Sequence, residues 1–109
     1  MNYMILPALT KNPFTISNIV DKSCIYFDVD LPYLRKKLRD NRRVAIRQMV
    51  FRCLRVEYKK TFTSIAEHFD MDHTTVIHSI NKLEDLMSVY PDLREDYINY
   101  ISNLKNLLD

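Results

Sequence analysis

The sequence predicts an all-α fold of about six helices organised around a helix-turn-helix. Three observations predict it. Apolar residues recur at helical spacing in successive segments, and no stretch shows useful strand-like alternation. Side-chain oxygens stand just before several of those segments, where a helix N-terminus needs an acceptor. The stretch Thr61 to Ser79 sets a short helical pattern and a longer one only a few residues apart, the parts of a helix-turn-helix.

Residues 1–14 read as an N-terminal arm and 15–109 as the domain. Met1 to Pro13 has no period and two prolines. Thr15 or Ser17 caps a first helix carrying Ile16, Ile19, Val20, Cys24 and Phe27 at core spacing. Asp28-Val29-Asp30 breaks it. Asp30 caps a second helix with Pro32 in its first turn, where the missing N–H is harmless, and Leu31, Leu34 and Leu38 form its apolar stripe. Arg39-Asp40-Asn41-Arg42-Arg43 reads as a basic connecting loop. Val44 to about Tyr58 is a long helix whose Ile46, Met49, Val50, Cys53 and Leu54 make one stripe, so it is expected at the centre of the core.

Lys59-Lys60 lead into the helix-turn-helix. Thr61, Thr63 and Ser64 supply capping oxygens, and Ile65, Ala66 and Phe69 give the first short apolar face. Asp70-Met71-Asp72 interrupts it. Asp72 caps a second helix from His73 to about Met87, with Val76, Ile77, Ile80, Leu83, Leu86 and Met87 facing inward. In such a unit the N-terminal residues of the second helix face base edges. Here they are Asp72, His73, Thr74 and Thr75, all polar and all able to hydrogen-bond. Val89-Tyr90-Pro91-Asp92 is the last break, with Asp92 as cap. A final helix carries Leu93, Tyr97, Ile98, Ile101, Leu104, Leu107 and Leu108, which serve the core or a partner.

Composition narrows the function. The 109 residues suit one domain, and a 47% hydrophobic fraction is enough for one modest core. No apolar run approaches the roughly 20 residues of a membrane span. The first ten residues lack a basic region, so a cytoplasmic protein is expected. Cys24 and Cys53 sit in apolar helical patterns without zinc-ligand spacing, so they read as core residues and no metal is expected. His73 and His78 point to different sides of their helix. The sequence contains no glycine, which excludes the glycine-rich loops that cradle nucleotide phosphates. With no nucleophile elbow and no paired-carboxylate motif, neither an enzyme nor a cofactor is expected.

Charge points the other way, towards a polyanion. The net charge is only +2, yet residues 35–60 hold eleven Lys and Arg against Asp40 and Glu57, whereas residues 61–109 hold nine acids against three bases. A basic block of this kind suits a phosphate-facing surface.

The segment Asp72-His73-Thr74-Thr75-Val76-Ile77-His78 resembles the signature of the C-terminal DNA-binding domain of the bacterial replication initiator DnaA. Arg47-Gln48-Met49 resembles the pair that opens that family's long helix. Tyr26-Phe27, Leu34 and Asn81-Lys82-Leu83 fall at matching places, and the resemblance runs from about Ile16 to Leu108. It implies a Trp-repressor-like helix-turn-helix that binds double-stranded DnaA boxes, without the initiator's ATPase module. Carried over by position, Asp72, His73 and Thr74 would meet bases, with Arg43 the first choice for the arginine that enters the minor groove. Thr75, Arg42, Arg47, Lys59 and Lys60 would meet phosphates. So would the backbone N–H groups at Thr61, Phe62 and Thr63, which the helix dipole favours. The sequence departs from the family where Gly-Gly-Arg is usual before DHTT. Asp70-Met71 stands there, one residue shorter, and Ile46 stands where proline is usual.

Two readings follow. One is a small sequence-specific regulator of replication or transcription that binds double-stranded DNA. The other is a protein-interaction module of the same fold that has lost DNA reading, contacting a replication or regulatory protein through the last helix or the N-terminal arm.

Overall fold

The computed structural model describes residues 12–36 and 40–109. The expectations for residues 1–11 and for Lys37, Leu38 and Arg39 lie outside the described residues. Among the described residues the chain forms α1 (Ile16–Phe27), α2 (Leu31–Arg35), α3 (Asn41–Arg52), a π-helical segment (Cys53–Glu57), α4 (Phe62–Phe69), α5 (His73–Val89) and α6 (Pro91–Leu108).

Local chemistry sets most of the starts. Thr15 caps α1 by accepting from the Asn18 N–H at 3.2 Å, and Asp30 caps α2 by accepting from the Tyr33 N–H at 2.9 Å. Two starts differ from expectation. The stretch read as a basic loop is largely helix, because the Asp40 carboxylate accepts from the N–H groups of Arg42 and Arg43 and so begins α3 at Asn41. The Tyr33 hydroxyl donates to the same carboxylate at 2.9 Å and holds its pKa below the ordinary 3.8. At α6 the expected Asp92 cap is absent. Pro91 opens the helix behind Tyr90, since proline has no N–H to be satisfied at that position.

The ends follow a pattern that the missing glycines impose. Asp28, Lys59 and Asp70 all take positive φ, at 56°, 58° and 55°. Glycine is the usual residue for that conformation at a helix C-terminus, because any Cβ crowds the backbone there. After α1, the Val29 N–H reaches Cys24 O at 3.0 Å; after α4, the Met71 N–H reaches Ala66 O at 2.9 Å. Both turns are therefore closed by the same doubled bond pattern, built on aspartate.

The core is continuous. Val50, Phe51 and Leu54 of the central helical run pack with Ile65 and Phe69 of α4, Val76 and Leu83 of α5, and Ile19, Val20 and Leu34 from the N-terminal helices. Phe51 meets Phe69 edge-on at 4.8 Å, tying α3 to α4. Tyr100 of α6 is fully buried between Tyr26 and Phe27, at 5.5 and 4.7 Å. Its hydroxyl shares a 2.6 Å hydrogen bond with Ser23, whose own hydroxyl lies 2.7 Å from Ile19 O. A buried phenol needs such a partner, and this one fixes α6 against α1. Cys24 and Cys53 are free and buried, and burial pushes their thiols up to about 11 and about 12. Such thiols stay protonated and unreactive, as core residues should.

Candidate nucleic-acid interface

The helix-turn-helix is α4, the turn Asp70-Met71-Asp72, and α5. Thr61 caps α4 by accepting from the Ser64 N–H at 3.1 Å, while its hydroxyl donates to Ser64 Oγ at 2.7 Å. Thr61, Thr63 and Ser64 are exposed, with Lys59 exposed just before them. Phe62 is half-buried beneath the Arg55 guanidinium, which lies 4.3 Å from its ring. The start of α4 therefore combines exposed hydroxyls, helix-terminal N–H groups and two lysines from consecutive residues.

Asp72 caps α5, accepting from the Thr74 N–H at 3.4 Å. His73 Nδ1 lies 3.2 Å from the same carboxylate. Asp72, His73, Thr74 and Thr75 are all exposed, while Val76, Ile80 and Leu83 behind them are buried. The helix is thus anchored by one face and presents its first turn to solvent. Arg47, Met71, Asp72 and Thr75 line a single concavity beside that turn.

The basic block divides sharply once it folds. Arg35 donates from Nε and Nη2 to His68 O, near the end of α4. Arg42 donates to Phe27 O, the end of α1, at 2.8 Å. Arg47 donates to Leu34 O and Lys36 O, the end of α2, at 3.3 and 3.1 Å. Arg55 donates to Lys60 O at 3.2 Å. Arg52 pairs with Glu84 at 3.1 Å and lies over the Tyr97 ring at 5.0 Å. Carbonyls at helix C-termini carry partial negative charge and lack partners, so arginines close them well. In a sequence without glycine, arginine supplies much of the C-terminal capping.

The sequence-derived site therefore separates into parts. Asp72, His73, Thr74 and Thr75 stand together, with half-buried Arg47 next to them. Lys59, Lys60, Thr61, Phe62 and Thr63 stand together at the start of α4. Arg42 does not join either group; it borders a cleft with Tyr26, Phe27, Met49, Asp96 and Asn99, between α1, α3 and α6. Arg43 is a correction to the expected loop arginine. It lies in the first turn of α3, is only 2% exposed, and sits 5.6 Å from the Tyr33 ring. The guanidinium is enclosed by its own fold, and its Nε and Nη2 have no hydrogen-bond partner among the described residues. Its buried charge also combines with desolvation to hold the Arg47 guanidinium below its ordinary pKa, desolvation being the larger cause. Sequence reasoning missed the capping role of Arg35, because its partner lies 33 residues away. It also missed the place of Met71 beside the first turn of α5, which no periodicity signals.

A short helix, a tight turn and an anchored second helix with a polar exposed tip define a helix-turn-helix DNA-binding domain of all-α class. Residues 16–83 match the family model for the bacterial dnaA protein helix-turn-helix, and the chain belongs to that family. The match spans α1 to Leu83 of α5. It stops short of α6, which the sequence resemblance had included, although α6 packs on the matched core through Tyr97, Tyr100 and Leu104. Among the described residues no helix is long and apolar enough to cross a membrane.

Proposed function

We propose that the chain reads specific double-stranded DNA sites related to the DnaA box, as a small regulator of replication or transcription. The observation that carries this reading is the run of four exposed hydrogen-bonding residues, Asp72 to Thr75, at the N-terminus of an anchored second helix. Asp72, His73 and Thr74 are the base readers in this reading. Thr75, Lys59, Lys60 and the start of α4 at Thr61 to Thr63 hold the backbone, and Arg47 borders the same surface. Arg42 and Arg43 serve the fold instead.

Selection from a random duplex library tests this and yields the site together. On the selected duplex, His73→Ala or Thr74→Ala should each weaken binding by about 1–3 kcal/mol and relax base preference, as removal of a base reader does. Both residues are exposed, so thermal stability should hardly change. If both variants bind the selected duplex as wild type does, the base-reading assignment is wrong.

A second reading has one observation in its favour. The turn carries the Asp70 carboxylate, and five arginines are engaged inside the fold. A module that uses α6, with Ile98 and Leu107 exposed, to contact a replication or regulatory protein would need no phosphate contacts. A salt titration separates the two readings. DNA binding that weakens steeply with salt supports the first, and absence of binding in dilute buffer supports the second.

A further inference from the structure

The concavity beside the reading turn is unlike the rest of the exposed tip. Its walls are Met71 and Thr75, one turn apart around Asp72, and Arg47 closes it from α3. Some of the polar groups around it are engaged within the fold. The Asp72 carboxylate is turned to the Thr74 N–H and to His73. Arg47 Nη1 donates to Leu34 O and Lys36 O, while its buried Nε has no hydrogen-bond partner among the described residues. Met71 is held in place from both ends: its N–H is bonded to Ala66 O at 2.9 Å, and its half-buried side chain packs on the core. What the notch offers outward is a thioether beside a threonine, next to four residues that offer hydrogen bonds.

The major groove supplies one apolar feature that suits such a notch. Thymine alone among the four bases presents a C5-methyl group there, and the other bases present donors and acceptors. We infer that Met71 is a specificity-determining residue that receives a pyrimidine C5-methyl group in the notch between Met71 and Thr75. This deepens the DNA-reading function proposed above and rests on it. Methionine suits the task because its thioether is polarizable and adapts to an irregular contact. The same chemistry admits the methyl group of 5-methylcytosine, so the notch would also make binding responsive to cytosine methylation at that position.

The test uses the full chain and a duplex from the random-library selection. Each thymine is replaced in turn by deoxyuridine, which removes only the methyl group, and affinity is read by fluorescence anisotropy at one salt concentration. One position should lose about fourfold in affinity, the transfer value of one buried methyl group. Met71→Ala should bind the thymine and uracil duplexes alike at that position, whereas Met71→Leu should retain most of the difference. Cytosine there should bind poorly and 5-methylcytosine better, if the notch reads the methyl group rather than the rest of thymine. The uracil series on wild type needs no variant, so a folding defect in Met71→Ala does not blunt the test. Selective binding that is indifferent to uracil at every position overturns this inference and leaves the DNA-reading function standing. Met71→Ala that keeps the full thymine preference also overturns it. Failure to select any duplex overturns both.

Discussion

The segment from Arg35 to Lys60 and the tip from Asp72 to Thr75 are opposites. The first holds eleven cations, yet five of its arginines bond carbonyls or carboxylates of their own chain and a sixth is buried. The second holds no Lys or Arg at all, yet every side chain in it faces solvent. Formal charge thus overstates what the first region has to offer a phosphate, and understates what the second has to offer a base. The physical reason is where the guanidinium groups are engaged. Carbonyls at helix ends carry partial negative charge, and Arg35, Arg42 and Arg47 donate to those of His68, Phe27, Leu34 and Lys36.

The largest effect that could break this comparison is at Arg43. If its role is structural, Arg43→Ala leaves a cavity where a fully buried side chain stood and should cost about 2–4 kcal/mol of stability in urea unfolding. Arg43→Met, which keeps the aliphatic volume and removes a buried charge with unpaired donors, should cost much less. Should Arg43→Ala keep full stability while losing DNA affinity, the buried assignment fails and the arginine belongs to the interface.

Salt dependence sharpens the comparison next. Lys59 and Lys60 are the cations of the block left beside the start of α4, with no ion pair to an acid among the described residues. Lys59→Ala combined with Lys60→Ala should reduce the slope of log affinity against log salt by about two units, one for each phosphate no longer neutralised. Arg52→Ala removes a formal charge from the same block. Because that charge pairs with Glu84 and Glu57, the slope should stay where it is while stability falls. Equal slopes for the two changes would mean that folding does not divide the block.

Asp70 compares with Asp28, its counterpart after α1. Both have positive φ, and both place a carboxylate at the negative end of a helix dipole. Asp70→Gly relieves the steric and electrostatic costs together and should stabilise the fold by about 1 kcal/mol, read as a rise in melting temperature. Asp28→Gly should do much the same, since the bond pattern is the same. On DNA, Asp70→Gly should do more than Asp28→Gly, because only Asp70 adjoins the proposed base-reading turn. A stabilising change at Asp28 alone would show that the Asp70 turn is held by something other than its backbone conformation.

Much of this fold was legible in the sequence, wherever the cause is local. Asp30 and Asp72 cap the helices they were expected to cap, and of the alternatives offered for α1 and α4 it is Thr15 and Thr61 that do so, because a cap and its N–H lie within three residues. Val76, Ile80 and Leu83 are buried as their spacing requires. The exposure of Asp72 to Thr75 follows from the same spacing, so the polar tip of α5 was legible too. The misreadings have a common cause. Arg-Asp-Asn-Arg-Arg is polar, which suggests a loop, but Asp40 is also a good cap and the helix began there. Arg35 bonds a carbonyl 33 residues away, and Arg43 is buried by tertiary packing. No local pattern encodes either.

The smallest expected effect concerns His68, which shares the end of α4 with Arg35. Partial burial and then the Arg35 charge hold its pKa below the ordinary 6.5, and its Nε2 has no hydrogen-bond partner among the described residues. The unfolded chain therefore takes up this proton first as pH falls. Stability should be full above pH 6.5 and should decline as pH drops through the lowered folded value, levelling off below it. Melting temperatures between pH 7.5 and pH 5 read this directly, and above pH 5 the Asp40 carboxylate stays ionised because its own pKa lies below 3.8. His68→Gln should flatten the decline. Arg35→Gln should reduce it by less, because desolvation is the larger of the two causes, and should also release His68 O. If His68→Gln keeps the whole decline, the acid sensitivity belongs to another group, and the capping arginine does not act on His68 as its position implies.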